Sequence, residues 1–374
     1  MKFCIQFILS IVLVLTGINQ GIEANAQTDS SMKEYKIGLM LPFYLHNWSK
    51  RKSDTATAIY DYYEGVQMAL SDLDRLGMNL VLHVYDTEED SLRVDSLMNT
   101  PKLREMNTVI GPIYESTITP MLRFSAITKI PLVSPFKFIE YQGPDSFPLI
   151  NMGASDSGKA FGEGQEIARN YPGYELFVIS DKKGEHFKQR KLFKDGFILG
   201  GGKMVTQIGI DELNKLYSAT KTKKVIVYAP IDTVGILKQL VSQAARGKII
   251  LCLPKELRKV KAFGKSEMIR GNVHFGDNMY YDKYEDRVLA FRKIYRERFR
   301  WEASKYQFLG YDQMMFIGQA LMTFGQDYYK KLGSAQINGI MQNYSLLQAS
   351  NGSYENAGCQ ILKYNSEGKR EAVK

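Results

Sequence analysis

The feature that most restricts how this chain can fold is a regular alternation of short apolar runs with amphipathic stretches of helix length. Lys36–Leu41 (KIGLML) leads into Tyr60–Leu76, where Tyr63, Val66, Ala69, Leu70 and Leu73 recur at helical spacing. Leu80–Tyr85 (LVLHVY) follows, then a stretch carrying Leu92, Leu97 and Leu103, then Thr108–Ile110. A helical stretch from Ser116 to Ile127 and the run Pro131–Ser134 complete the series. This β-α-β-α-β-α-β order requires a parallel sheet with helices on both faces, because parallel strands are joined by crossovers and the crossovers here are helices.

Gln142-Gly143-Pro144-Asp145-Ser146 breaks the series with turn chemistry, after which the alternation restarts. Strands are expected at Leu176–Ile179, Met204–Ile208, Val225–Tyr228 and Ile249–Leu253, with the clearest helix at Val234–Ala245. Beyond them come an extended run, Gly271–Tyr281, a charged helix, Asp286–Trp301, and an apolar helix, Tyr311–Phe324. Tyr354–Val373 reads as a hairpin turning near Asn365-Ser366-Glu367-Gly368. With 374 residues and 44% hydrophobic content, the chain is long enough for two α/β units that each bury a core.

The first residues point to export. Lys2 precedes an apolar run, Phe3–Thr16, and Ala24-Asn25-Ala26 fits a small-x-small cleavage site before Gln27. The run is short for a bilayer span, so residues 1–26 are expected to be a cleaved signal peptide. Cys4 precedes the run, where a lipoprotein cysteine would follow it, and no later segment is long and apolar enough to cross a membrane. A periplasmic protein without a membrane span after cleavage is the expectation, and export argues against nucleic acid as a partner. The formal charge of +9 suits either a solvated basic surface or an anionic envelope partner. Cys252 and Cys359 fall in apolar runs suited to buried thiols, and spacing alone leaves open whether they pair.

Motifs for catalysis and cofactors fall short of their chemistry. Gly153–Ala160 (GASDSGKA) comes within one residue of a phosphate-binding loop, but Ala160 stands where a hydroxyl must hold Mg²⁺. It reads as a loop capping the next helix. Gly162-Glu163-Gly164 lacks the third glycine of a dinucleotide site. His46, His83, His186 and His274 are scattered without metal-ligand spacing, and no Gly-x-Ser-x-Gly elbow is present. A non-enzymatic protein with no cofactor and no metal is expected.

Ligands of parallel α/β sheets bind beyond the carboxyl ends of the strands. Those ends are Pro42–Tyr44, Asp86–Thr87, Gly111–Thr117, Ser134–Phe136, Ser180–Lys183, Ala229–Asp232 and Leu253–Lys255. Gly111–Thr117 (GPIYEST) leaves a strand and opens a helix. Its free backbone N–H groups, the hydroxyls of Ser116 and Thr117 and the ring of Tyr114 could receive a small anion. Ordinary N-capping explains the same residues equally well.

The ordered pieces KIGLMLPF, YDYYEGVQMAL, LVLHVYDTEED, VIGPIYESTITPM and IPLVSPF resemble the first lobe of type I periplasmic binding proteins, the Leu/Ile/Val-binding-protein-like family with a Venus-flytrap shape. FLGYDQMMFIGQAL resembles that family's buried Tyr-Asp helix, and NAGCQILKYNSEGKR its terminal hairpin. The resemblance implies an α/β fold of two flavodoxin-like lobes with parallel sheets, joined by three crossovers, with a ligand cleft between them. The lobes implied are residues 33–148 plus 279–335, and residues 149–278 plus 336–374, with crossovers near 141–150, 271–284 and 333–352.

It further implies a solute-binding receptor, possible partner of an ABC-type permease, that takes a small carboxylate-bearing, amino-acid-like ligand. The carboxylate loop maps onto Gly111–Thr117 and Ser134-Pro135-Phe136. The ligand-binding set is then Tyr44, Tyr85, Asp86, Tyr114, Ser116, Thr117, Ser134 and Asp181. The sequence departs from the family where an acid of the second lobe would hold an ammonium: IILCL ends in Leu253-Pro254-Lys255, and Asp181 is followed by Lys182 and Lys183. The alternative is an envelope interaction protein, similar to the C-terminal domain of penicillin-binding protein activators, meeting peptidoglycan or cell-wall proteins. Its candidate faces are Lys255–Lys265 and the helix with Arg287, Arg292, Lys293, Arg296, Arg298 and Arg300.

Overall fold

The computed structural model describes residues 33–141, 148–181, 186–255, 257, 264–334 and 336–373. The expected signal peptide, the turn at 142–146 and Lys182–Gly184 lie outside these residues, as does most of the Lys255–Lys265 stretch.

Strand β1 (Tyr35–Leu41) runs through a turn of helix at Trp48–Arg51 into α1 (Asp54–Arg75). Helix α1 starts six residues before its apolar periodicity becomes legible, because the Ser53 side chain caps it by accepting from the Ala56 N–H. Strand β2 (Leu80–Asp86), β3 (Thr108–Ile110), α2 (Glu115–Thr128), β4 (Leu132–Ser134) and β5 (Leu149–Asn151) follow. The restarted alternation comprises α3 (Asp156–Asn170), β6 (Glu175–Ser180), α4 (Phe187–Leu199), β7 (Val205–Gly209), β8 (Val225–Tyr228), α5 (Val234–Ala245) and β9 (Ile250–Cys252). Then come β10 (Phe275–Asp277), α6 (Asp286–Phe299), α7 (Lys305–Phe324) and β11 (Gln336–Asn338). The chain ends with β12 (Asn343–Gln348), β13 (Tyr354–Asn356), β14 (Gln360–Tyr364) and β15 (Arg370–Ala372).

From Glu34 onward the chain is one compact unit built on an eight-stranded sheet, order β11-β12-β13-β5-β4-β3-β1-β2, and a four-stranded parallel sheet, order β7-β6-β8-β9. A three-stranded antiparallel sheet, β10-β14-β15, touches the second through a bridge between Cys252 and His274. The two large sheets are covered on both faces, as their sequence pattern requires. Along β1, Ile37, Leu39 and Leu41 join the core under α1, α6 and α7, while Met40 joins the core under α2. Along β6, Phe177 and Ile179 face one core and Leu176 and Val178 the other.

The chain passes between the two α/β bodies at 152–155, 278–285 and 357–359. The first and third passages come later than the turn signals near 141–150 and 333–352. Strands β5 and β11–β13 continue the first sheet, and three-residue strands such as β5 carry too little pattern to be read from sequence. The terminal hairpin is β14–β15, turning where Gly368 has φ +72°, whereas β13 pairs in parallel with β5.

Two helix pairs cross at backbone contact through reciprocal glycines. On α1 and α7, a Cβ at Gly65 would lie 2.0 Å from the Gln307 carbonyl oxygen, and one at Gly310 would lie 2.0 Å from that of Tyr62. On α3 and α4, the same relation links Gly164 to Phe193 and Gly196 to Phe161, also at 2.0 Å.

Candidate functional site

A cavity of about 550 Å³ opens at the carboxyl ends of β3, β4 and β5. Its walls are Ile113 and Tyr114 after β3, Ser134–Lys137 after β4, and Met152 and Gly153 after β5. The first two turns of α1 add Asp54, Thr55, Ala58 and Ile59, and those of α7 add Lys305, Tyr306 and Leu309. Asn278 and Met279, from the second passage, and Gln342 close it. The site therefore gathers strand ends, helix starts and two passages between the bodies, which is where ligands of such sheets bind.

Local chemistry explains how these walls are held. The exit of β3 turns at Gly111, whose φ is +80° and where a Cβ would lie 2.1 Å from the Met40 carbonyl oxygen; only glycine fits. Helix α7 begins at Lys305, six residues earlier than its apolar run, because Ser304 and Gln307 form a capping box. Phe136 packs edge-on against Tyr62 at 5.0 Å and against Tyr306 at 6.4 Å between ring centroids.

Beneath the cavity lies a buried polar network. Tyr62 donates to Gln313 Oε1 at 2.8 Å, and Gln313 Nε2 donates to the Pro135 carbonyl at 2.8 Å and to Gln342 Oε1 at 3.3 Å. Tyr344 donates to the same Gln342 oxygen at 3.0 Å. Asp312 is fully buried and accepts backbone N–H bonds from Ile340 (2.7 Å), Met341 (2.7 Å) and Gln342 (2.9 Å). Burial pushes its carboxyl up to about 6, against the opposing pull of those three N–H groups and of the Arg287 charge.

Of the residues expected to bind ligand, Tyr114 and Ser134 line this cavity. Tyr44 is buried, with its hydroxyl 3.1 Å from that of Tyr114 and 3.3 Å from Glu89 Oε2. Burial first, then the Tyr114 and Glu89 neighbours, push its phenol far above the usual range. The Asp86 carboxylate accepts from the N–H groups of Phe43 (2.8 Å), Tyr44 (3.2 Å), Leu45 (2.9 Å) and Glu88 (3.0 Å), so it pins the β1 loop. Tyr85 packs toward the core under α2, and its hydroxyl finds no partner among the described residues.

The Thr117 hydroxyl donates to the Tyr114 carbonyl at 3.0 Å and that of Ser134 to the Lys137 carbonyl at 2.7 Å. Ser116 is exposed and outside the cavity wall. Asp181 follows β6, 3.9 Å from Arg190, and is also outside that wall. Sequence reasoning did not single out Lys137, Lys305, Tyr306, Asn278 or Gln342. The capping box at Ser304 was the one local signal that could have extended α7 toward two of them.

The loop resembling a phosphate site is a helix cap, as its sequence suggests. Ser155 Oγ accepts from the Gly158 N–H at 3.0 Å, and Glu355 brings its own carboxylate to the Ser155 N–H at 2.7 Å. A Cβ at Gly158 would lie 2.5 Å from that carboxylate, so the chain itself fills the anion's place. His46, Asp86 and Glu88 bring one ligand atom each within 4.8 Å, but Asp86 is already saturated and His46 Nδ1 lies 2.6 Å from Glu88. Cys252 and Cys359 are free, buried thiols raised well above the usual range by burial. On the basic helix, Arg292 and Arg296 both bond to Glu302 at 2.8 Å, and Arg287 pairs with Glu285 at 2.6 Å.

No protein-family model matches this sequence, and no curated protein matches it. Solved structures do. One from Rhodospirillum rubrum, described as a branched-chain amino acid ABC transporter, is 12% identical with a TM-score of 0.54, covering 91% of this chain and 100% of that one. The C-domain of LpoA (YraM) from Haemophilus influenzae, described as a regulator of PBP1A, is 14% identical with a TM-score of 0.54, covering 91% of this chain and 100% of that one. At such identities the likeness establishes the fold and nothing finer.

Proposed function

We propose that this chain, which has the two-lobed fold of type I periplasmic binding proteins, is an exported, non-enzymatic receptor that binds a small solute in the cavity at the ends of β3–β5. The observation that carries this reading is the cavity itself: about 550 Å³, walled largely by Ile59, Ile113, Phe136, Met152, Tyr306 and Leu309. Lys137 and Lys305 stand at its wall without an ion pair among the described residues. Asp54 is the one carboxylate of the same wall, so the two lysines leave it a net charge of +1, and an apolar body carrying one carboxylate suits that combination. The hydroxyls of Ser134 and Thr117 act on the protein's own carbonyls and so hold the loops in shape. The proposed lobes are the bodies built on the two large sheets, and delivery to an ABC-type permease in the periplasm is the proposed use.

The test is a thermal-shift screen with amino acids, short peptides, aliphatic and aromatic acids and muropeptides. A ligand at about a hundredfold its dissociation constant adds about 2.7 kcal/mol of stability. A hit that Ile113→Trp abolishes supports the receptor reading; no shift with any saturating compound refutes it.

A second reading is an envelope interaction protein, for which the observation is the equal likeness to the LpoA C-domain. On the basic helix, Lys293, Arg298 and Arg300 lie outside the Glu302 and Glu285 pairs, and Arg298 bonds to Ser71 Oγ at 3.1 Å. Binding to peptidoglycan or a cell-wall enzyme by that face weakens with salt, since exposed charges are screened within about 10 Å at 0.1 M. Salt-independent association excludes it.

A further inference from the structure

Two neighbouring side chains of α7 hold two different walls of the cavity without reaching the cavity themselves. Residues 339–342 are the loop of the β11–β12 hairpin, closed by a bond from the Gly339 N–H to the Gln342 carbonyl at 2.7 Å. Three consecutive N–H groups of this loop converge on the Asp312 carboxylate, as in a backbone anion nest. The contact is tight: a Cβ at Gly339 would lie 2.4 Å from Asp312 Cγ, and Arg287 Nη1 donates to the Gly339 carbonyl at 2.6 Å. Gln342, the last residue of the loop, faces the cavity. Next to Asp312, Gln313 donates to the carbonyl of Pro135, in the adjoining Ser134–Lys137 wall, and to Gln342 Oε1, and is itself oriented by the Tyr62 hydroxyl.

We propose that Asp312 and Gln313 are positioning residues, which tie the 339–342 loop and the Ser134–Lys137 loop to one rigid helix and so set the spacing of the cavity walls for the ligand. The proposal rests on the cavity being the binding site. Both side chains are almost fully buried, so each lost bond leaves a buried donor or acceptor unpaired, and the loop it held is the part free to move.

The test combines amide hydrogen exchange with the fluorescence of anilinonaphthalene sulfonate, an apolar fluorophore with one anionic group. Wild type is expected to bind the fluorophore, and the cavity-filling Ile113→Trp is expected not to. Asp312→Asn, which turns an N–H donor toward the nest, should accelerate exchange at Ile340–Gln342 about ten- to hundredfold. Exchange in β6–β9 should stay unchanged, and fluorophore affinity should fall about tenfold. Tyr62→Phe removes the hydroxyl that orients Gln313, is conservative enough to fold, and should give a milder form of the same result at Ile139, whose N–H donates to Asn151 Oδ1 at 2.9 Å at the end of the Ser134–Lys137 loop.

Unchanged protection in these loops overturns the proposal, as does faster exchange spread evenly over the chain, which marks a merely structural role. Freed loops with unaltered fluorophore affinity overturn the positioning role alone. Equal binding by wild type and Ile113→Trp overturns the cavity reading and the proposal with it.

Discussion

Gly310→Ala sets two opposite physical effects against each other at one atom. In a helix interior, alanine is favoured over glycine by about 1 kcal/mol, so propensity alone predicts a more stable protein. The crossing of α1 and α7 predicts the reverse. The added Cβ would lie 2.0 Å from the Tyr62 carbonyl oxygen and 3.2 Å from the Val66 nitrogen, both backbone atoms that no rotamer change can move. Relief requires the helices to part by about 1 Å, and overpacking of this kind costs about 1–3 kcal/mol or more. With rigid backbone on both sides the upper end applies, about 3–4 kcal/mol, leaving a net loss of about 2–3 kcal/mol after the propensity gain. Parting the helices also disturbs the Tyr62–Gln313 bond under the cavity. The assay is urea unfolding followed by circular dichroism, comparing midpoints at unchanged slope. The control is Gly235→Ala on α5, where a Cβ meets nothing within 4 Å and stability should hold or rise by up to about 1 kcal/mol. A Gly310→Ala protein as stable as wild type would mean that α1 and α7 do not meet at backbone contact. Gly65→Ala should lose a similar amount, and the double variant less than the sum, because one separation relieves both contacts.

Three further outcomes follow from the same geometry. Asp312, with its native carboxyl raised to about 6 from an ordinary 3.8, contributes stability below the unfolded value that is lost as pH rises through about 6. The stability of wild type relative to Asp312→Asn should therefore grow by up to about 3 kcal/mol between pH 7 and pH 4 in parallel urea titrations, and a flat difference would disprove it. Asp86→Ala strips the acceptor from four loop N–H groups and should cost about 3–5 kcal/mol by urea midpoint; a loss under about 1 kcal/mol would show that water satisfies the loop. Cys252 and Cys359, buried thiols raised by their surroundings, should ignore a thiol reagent in the native protein and react together on unfolding; prompt native labelling would contradict their burial.

Local sequence chemistry is enough for the two α/β bodies, for the parallel strands β1–β4 and β6–β9 to within a residue at each end, and for the helix-capping loop at 153–160. These rest on local chemistry: β-branched runs, helical periodicity and hydroxyls before helix starts act over a few residues and leave a readable period. It also pointed to the strand ends around Tyr114 and Ser134 as the place to look. What each group there does depends on long-range packing. Asp86, Thr117 and Ser134 have the right chemistry for a ligand, yet their polar atoms meet backbone groups of the protein. Lys137, Lys305 and Gln342 reach one cavity from positions 137, 305 and 342, a convergence without a sequence period. The reciprocal glycines make the same point: each is ordinary in its own helix, and its necessity comes from a carbonyl roughly 30 to 245 residues away that is brought to 2.0 Å only by packing.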